Sequence, residues 1–491
     1  MGNAQARRST PDWTPQQEVV FDWCENGDRS ANVIARAGTG KSTTIVHGAR
    51  YCEGKTLVAA FNKSAAEELK SRLPATVDAK TGHGLGMGLI IQSYGKPTVD
   101  ENKAKVIIGD ILVEMGRTIV EDGELVARTA EKNAIAKLVS RAKNTLMEAP
   151  ADLERLAYMM DLVEDESGRS ASLMADVTIK ALARCLDQKD VIDFDDMPWI
   201  PVKMGLRPQR YDTVLVDEAQ DTNACSRTLY EGVMKSRGRF GAVGDDRQAI
   251  YAFRGADSTA LDLIAKAHNS IILPLTVTFR CGKNIVQHVK HIVPDYEAAP
   301  GNEDGVVRVG SAFDARPGDF VIARSNAPLV RRCVDLVKAG VPAMVLGRDL
   351  QGSAEAMIRR SRASDVRGLE SWVVAWSEKE ATKLAKKGYD DLAGIIRDKA
   401  SMLLALCEGA ESIAEVSDRV RTIFGEGDAK TRVVFGTAHR MKGLERDRVF
   451  VLESGFRLDA QPGSQESNLY YVACTRALHE LVLDQTQEVV Q

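Results

Sequence analysis

Short apolar runs alternate along the chain with stretches whose apolar residues recur every three or four positions. Val33-Ile34-Ala35, Thr56-Leu57-Val58-Ala59-Ala60-Phe61, Thr213-Val214-Leu215-Val216, Arg239 to Gly244 and Ile271 to Leu275 read as buried strands. Asn62 to Leu73 (NKSAAEELKSRL) follows the second of them with helical spacing. Strands alternating with helices predict a doubly wound α/β fold with a parallel sheet. A later series of short runs, Val306–Val309, Phe320–Ala323, Met344–Leu346, Val433–Phe435, Val449–Leu452 and Leu481–Leu483, predicts a second sheet.

The period changes in two places. Between about 94 and 190 helical spacing takes over, as in Ile135, Leu138, Val139, Ala142 and Leu146, with almost no strand signal. A second, shorter helical stretch fills 351–430, where Trp372 and Trp376 lie one turn apart and read as core. The expected division is therefore 1–93 with 191–276, a helical insertion at 94–190, then 277–350 with 431–491, and a helical insertion at 351–430.

Chemistry concentrates where strands end. After Val33-Ile34-Ala35 comes Arg36-Ala37-Gly38-Thr39-Gly40, and Lys41-Ser42-Thr43-Thr44 opens a helix. A strand, a Gly-rich turn and a helix in that order form a phosphate-binding loop. Glycines let backbone N–H groups converge on phosphate oxygens at the positive end of a helix. Lys41 would reach the β- and γ-phosphates of ATP and the Ser42 hydroxyl would ligate Mg²⁺. Ala35 stands where the strict motif has glycine. Thr213 to Val216 runs into Asp217-Glu218-Ala219-Gln220-Asp221, a Walker-B arrangement. Asp217 would hold Mg²⁺ through water, and Glu218 would orient and deprotonate the attacking water. The polar loop after Gly244 carries Gln248, Tyr251, Phe253 and Arg254, and Gln248 is placed to sense a γ-phosphate. A polar turn, Lys80-Thr81-Gly82-His83-Gly84, belongs on the same sheet edge. Of the acids in Val191 to Met197 (VIDFDDM), a structural role is preferred to metal binding.

Composition narrows the classes without choosing one. The 491 residues are long enough for two or more cores, and 44% apolar with 27% charged is ordinary for a globular chain. A net charge of −4 places any nucleic-acid contact in a local groove. Eight scattered cysteines without a CxxC pair argue against a structural metal and against a disulfide framework. No apolar run approaches the roughly 18 residues of a membrane span. The opening MGNAQARRST lacks a signal peptide's apolar segment, and Ala6 departs from the myristoylation pattern. No membrane contact and a cytoplasmic location are expected.

Taken in order, ARAGTGKS, LVDEAQDT, VGDDRQAIYAFRGA, TFRCGKNI, GTAHRMKGLERDRVFVLES and ESNLYYVACTRA strongly resemble the motifs of the UvrD/Rep type of superfamily 1 DNA helicase. DFDDM and GVPAMVLGRD resemble further signatures of that family, and AFNKSAAEEL is similar to its F-box helicase branch. The resemblance covers about Trp13 to Leu483 outside the two insertions. It implies two RecA-like domains with ATP between them. Gln17, taken alone an exposed helix residue, then matches the glutamine that reads adenine. Arg280 and Arg476 match the two γ-phosphate arginines, and Glu445 matches the sugar contact. Together with Ala37, Gly38, Thr39, Gly40, Lys41, Ser42 and Thr43 these make the expected nucleotide site. Tyr471 keeps the tyrosine of the last motif.

The single-stranded DNA groove is expected along Phe61, Asn62, Thr81, His83, Tyr251, Phe253, Arg254, Thr437 and His439. Family members carry Trp at the position of Phe253 and usually Phe at that of Gly82, so stacking is reduced here. The implied activity is ATP-dependent 3′→5′ unwinding of DNA in replication, repair or recombination, on single-stranded and forked DNA, with protein partners from those processes. The polarity follows from Gly244-Asp245-Asp246-Arg247-Gln248-Ala249-Ile250-Tyr251, which is like the 3′→5′ branch. The rival reading is a single-stranded-DNA-dependent ATPase that displaces proteins without processive unwinding, which the short insertion at 351–430 favours. A DNA-binding scaffold with a decayed site conflicts with intact Lys41, Ser42, Asp217, Glu218, Arg280 and Arg476.

Overall fold

The computed structural model describes residues 13–60, 62–121, 124–160, 162–163, 169–208, 210–250, 259–386, 390–424 and 428–486. In chain order the strands of the first half are β1 (Ala31–Ala35), β2 (Thr56–Ala60), β3 (Val77–Thr81), β4 (Thr98–Val99), β5 (Thr118–Glu121), β6 (Glu124–Ala127), β7 (Val191–Ile192), β8 (Tyr211–Val216), β9 (Met234–Gly244) and β10 (Ile271–Leu275). The second half adds β11 (Val277–Thr278), β12 (Glu297–Ala298), β13 (Val306–Val309), β14 (Phe320–Ala323), β15 (Ala343–Val345), β16 (Val433–Thr437), β17 (Arg446–Leu452) and β18 (Ala477–Asp484).

Two six-stranded sheets result, ordered β10-β1-β9-β8-β2-β3 and β13-β18-β17-β14-β16-β15. Every pairing within them is parallel. The fold is α/β with two RecA-like parallel sheets, as the strand–helix alternation predicts. Continuous apolar runs become the inner strands: β2, β14 and β16 are buried along their whole length. Helices cover both faces of a parallel sheet, so such strands need no polar side. β3 breaks that rule. Its sequence Val-Asp-Ala-Lys-Thr buries only Val77, because it lies at an edge where one side meets solvent. The expected turn at Lys80 to Gly84 is thus the end of β3 and the start of a helix, Gly82–Tyr94, capped by the Thr81 side chain.

The first helical stretch contains Lys103–Glu114, Thr129–Thr145, Pro150–Met159 and Ala171–Asp187, packed through Ile107, Ile111, Leu138, Val139 and Met174. It also holds the antiparallel pair β5–β6, against the expectation of almost no strand. At its root Lys103 meets Asp196 at 2.7 Å, and Lys143 meets Asp193 at 2.7 Å and Asp196 at 2.8 Å, all four buried. Two of the three acids of Val191 to Met197 therefore neutralise two buried lysines, and Asp195 accepts from the Asn144 amide at 3.0 Å, all structural roles. The second helical stretch, Arg348–Ser361, Val366–Ala385, Asp390–Cys407 and Ile413–Phe424, shares one core with the second sheet through Leu369, Val373, Leu403 and Val416. Trp372 and Trp376 stack, ring centres 6.0 Å apart, half-buried against that core. No described helix is long and apolar enough to cross a membrane.

Candidate nucleotide site between the two sheets

Parallel order brings the chemistry to one edge. β1, β9 and β8 are consecutive neighbours, so the loops after Ala35, Gly244 and Val216 open side by side at their C-terminal ends.

Helix α1 (Pro15–Asn26) begins with a capping box. The Thr14 hydroxyl accepts from the Gln17 N–H at 3.2 Å, and the Gln17 side-chain carbonyl accepts from the Thr14 N–H at 3.0 Å. The Gln17 amide then donates to Thr44 Oγ1 at 3.0 Å, beside Gly40. Gln17 is buried, not exposed, because helix α2 (Lys41–Gly48) offers it a partner. Trp13 and Phe21 pack on His47 at 4.4 and 4.5 Å between ring centres and pin α1 to α2.

In the loop, Gly38 and Gly40 take φ of 71° and 78°. Gly38 is also required by proximity: a Cβ there would stand 2.3 Å from the Arg280 Cβ. Its carbonyl accepts from the Phe279 N–H at 2.9 Å. Thr39 is buried with its hydroxyl on the Arg36 carbonyl at 2.9 Å, while Thr43 is exposed. Ala37 is gripped from the second half of the chain. Its N–H donates to the Tyr471 hydroxyl and its carbonyl accepts from the Tyr296 hydroxyl, each at 2.9 Å. Arg36 pairs with Asp245 at 3.3 Å, with Asp246, and with Asp295 at 2.9 Å.

Lys41 meets Glu218 at 3.4 Å, and Ser42 Oγ donates to Asp217 Oδ2 at 2.8 Å. Burial and then the neighbouring Glu218 push the Asp217 carboxyl up to about 6. Burial pulls Glu218 the same way, but Lys41, the Gln220 amide and Lys442 outweigh it and hold Glu218 at about 2. Glu218 adopts a left-handed φ of 51°, uncommon for a side chain of its size. A buried carboxylate beside a hydroxyl, both hard oxygen donors whose desolvation Lys41 offsets only in part, fits Mg²⁺.

Two residues not singled out from sequence organise this edge. Gln220 donates to Glu218 Oε2 at 2.5 Å and accepts from the Asp245 N–H at 3.1 Å. It passes so close to Gly244 that a Cβ there would lie 2.2 Å from its Oε1. Lys442, within KGLE, reaches Asp221 at 2.7 and 2.8 Å and the Gln248 carbonyl at 2.7 Å. Gln248 itself is buried, its amide on Asp245 Oδ2 at 2.8 Å.

The second half faces this with arginines. Arg280 pairs with Glu445 at 2.7 Å. Arg476 is 1% exposed and donates to the carbonyls of Val472 and Leu444 and to Thr475 Oγ1, at 2.9, 3.3 and 3.2 Å. No carboxylate pairs with it among the described residues. Burial, then the nearby Arg280, pulls its guanidinium below the ordinary value. A buried cation that neutral oxygens alone solvate is poised for an anion.

Of the expected DNA contacts, Asn62 and Thr81 are spent partly as helix N-caps, accepting from Ala65 and Gly84 at 2.8 and 3.1 Å. His83 is exposed, Thr437 is buried at the end of β16, and His439 follows in the short helix Ala438–Met441. All of these lie at or just after the C-terminal ends of parallel strands. At Gly82 a Cβ would stand 3.1 Å from the Tyr230 hydroxyl, so Tyr230 takes the room a larger residue would need. Phe61, Tyr251, Phe253 and Arg254 lie outside the described residues.

The family model of the UvrD/REP helicase N-terminal domain matches residues 14–269, just over half of the chain. F-box DNA helicase 1 of Gallus gallus is 27% identical over 96% of this chain and 49% of its own length. F-box DNA helicase protein 1 of Schizosaccharomyces pombe is 24% identical over 97% and 58%. ATP-dependent DNA helicase Rep of Escherichia coli is 27% identical over 52% and 40%. The chain spans about half the length of these relatives. With the matched model running from the cap of α1 through the phosphate loop and both acids to the last turn before β10, the chain belongs to the UvrD/REP helicase family.

Proposed function

We propose that the chain is an ATP-driven DNA motor that moves 3′→5′ on a single strand and unwinds the duplex ahead of it. The observation that carries this reading is the split cleft: Lys41, Ser42, Asp217 and Glu218 at the edge of the first sheet, faced by Arg280 just after β11 and by Arg476 and Glu445 beside β18 and β17 of the second sheet. Relatives named as DNA helicases support the substrate.

The pairing at 3.4 Å suggests how hydrolysis is gated. Lys41 holds Glu218 low while no phosphate competes for it. When the β- and γ-phosphates of ATP draw Lys41 away, Glu218 loses its largest stabilising charge and becomes basic enough to orient and deprotonate water. Ser42 and Asp217 would hold Mg²⁺, which would supply charge neutralisation at the phosphates. Gln17 is assigned to adenine and must release Thr44 or Thr14 to read it. Glu445 must likewise leave Arg280 to reach the sugar, which frees that arginine for the γ-phosphate. Arg476 needs no release. Lys442, Tyr471 and Tyr296 carry the resulting closure across the interface. Gln248, held by Asp245 and Lys442, is positioned to report the γ-phosphate to the loop carrying Tyr251, Phe253 and Arg254. Those residues, with Phe61, Asn62, Thr81, His83, Thr437 and His439, are assigned to the strand.

The test is phosphate release from MgATP with and without single-stranded DNA, RNA and duplex, followed by unwinding of forks with 3′ or 5′ overhangs. DNA-stimulated hydrolysis with 3′-overhang unwinding is expected. Stimulated hydrolysis that removes a bound protein yet opens no fork would select the translocase reading, and no hydrolysis at all would refute both.

A further inference from the structure

Two cysteines with no part in the nucleotide chemistry lie against each other behind the first sheet. Cys24 is near the C-terminal end of α1, and Cys52 lies just beyond the end of α2. Both sulfurs rest on Gly48. A Cβ there would stand 2.8 Å from Cys24 Sγ, and Cys52 Sγ is 4.0 Å from the Gly48 carbonyl. Gly48, lacking a side chain, leaves room for both sulfurs, and the two thiols act on each other's protonation. Cys24 is buried while Cys52 is only half-buried, so Cys52 is the nearer of the two to solvent.

A fixed positive charge sits beside them. Arg239 is held by the carbonyls of Trp23, Cys24 and Gly27 and reaches toward Thr213. The neighbouring Cys24 thiol, and then Arg239 against the opposing burial, bring the Cys52 thiol below its ordinary value, while the neighbouring Cys52 raises Cys24. Cys185, Cys225, Cys333 and Cys407 differ: each is buried, burial raises it, and no second cysteine acts on it.

We propose that Cys24 and Cys52 are a redox modification site that closes to a reversible disulfide under hydroperoxide. The Cys52 thiolate attacks one peroxide oxygen, the O–O bond breaks, and Cys52 sulfenic acid forms while the departing hydroxide takes a proton to become water. The Cys24 sulfur then attacks the Cys52 sulfur. The S–O bond breaks, the leaving hydroxide takes the Cys24 proton, and the sum is two thiols plus one peroxide giving one disulfide plus two waters.

The bond would bolt α1 to α2 across β1 and the phosphate loop. α1 also holds the segment between β10 and β11, since Gln16 donates to Thr276 Oγ1 and accepts from the Thr276 N–H, each at 2.8 Å. Closing a loop that includes the nucleotide-binding turn restricts the unfolded chain and raises the melting temperature by several degrees.

The full chain, treated with hydrogen peroxide and then denatured, reports this by free-thiol titration and by non-reducing peptide mass spectrometry. Two of the eight thiols should disappear, the intact mass should fall by two hydrogens, and a peptide should join Cys24 to Cys52. Dithiothreitol should reverse all three together with the rise in melting temperature. Cys52→Ser should keep its remaining thiols free under the same dose. The proposal is overturned if all eight thiols still titrate, if the cross-link joins other cysteines, or if Cys52 accumulates sulfinic acid while Cys24 stays free.

Discussion

On the first-sheet side of the cleft both cations have partners of opposite sign: Lys41 meets Glu218 at 3.4 Å, and Arg36 meets Asp245 and Asp295 at 3.3 and 2.9 Å. On the second-sheet side Arg476 is buried against two carbonyls and a hydroxyl, with Arg280 adding like charge nearby. The first side can rest without a ligand, since its pairs satisfy themselves. The second side gains most when an anion arrives, because burying a cation without a counter-charge is costly. A nucleotide therefore has to break pairs on one wall and fills a deficit on the other. That asymmetry makes the two walls separable by mutation.

The largest effects belong to the paired wall. Lys41→Ala should abolish MgATP hydrolysis, whereas Glu218→Gln should keep nucleotide binding and lose turnover; phosphate release together with equilibrium binding separates the two. Normal turnover in either variant would remove the assignment of this wall. Next comes the unpaired wall. Arg476→Gln keeps a donor for the Val472 carbonyl but removes the charge, and an arginine finger is worth about 10³–10⁵ in rate. A steady-state fall of that order is expected, measured with DNA present.

Smaller effects should follow where the two walls are tied. Tyr296→Phe leaves the Ala37 carbonyl without its 2.9 Å donor. A buried acceptor left bare costs about 1–3 kcal/mol, to be read from denaturant unfolding. Tyr471→Phe should act alike through the Ala37 N–H. The smallest change is Asp295→Asn, since its carboxylate is 46% exposed and solvent screens the pair with Arg36. A loss of no more than about 1 kcal/mol is expected, and a larger loss would place Arg36 at the centre of the interface rather than at its rim.

How much of this could be read from the chain follows from how local each feature is. The phosphate loop and Asp217-Glu218 are contiguous runs, each next to an apolar strand, and their chemistry is written within a few residues. The inner strands were legible for the same reason. β3 escaped because Val-Asp-Ala-Lys-Thr is polar enough for an edge, and its pairing with β2 supplies what its own residues do not. The β5–β6 pair escaped although Asp122-Gly123 between Thr118-Ile119-Val120 and Leu125-Val126 is a hairpin signal. Gln17 taken alone reads as exposed because its burial depends on Thr44, a residue on another helix. Lys442 with Asp221, Tyr296 with Ala37 and Cys24 with Cys52 depend on tertiary register, which no local pattern encodes.

The most direct test of the asymmetry is the rise in melting temperature that a non-hydrolysable ATP analogue with Mg²⁺ gives to the wild type and to Arg476→Gln. A ligand at 100 times its Kd stabilises by about 2.7 kcal/mol. If the nucleotide supplies the missing counter-charge, the wild type should show a clear upward shift, and at the same concentrations Arg476→Gln should lose most of it. An equal shift in both proteins would contradict the account and leave Arg476 as a structural residue.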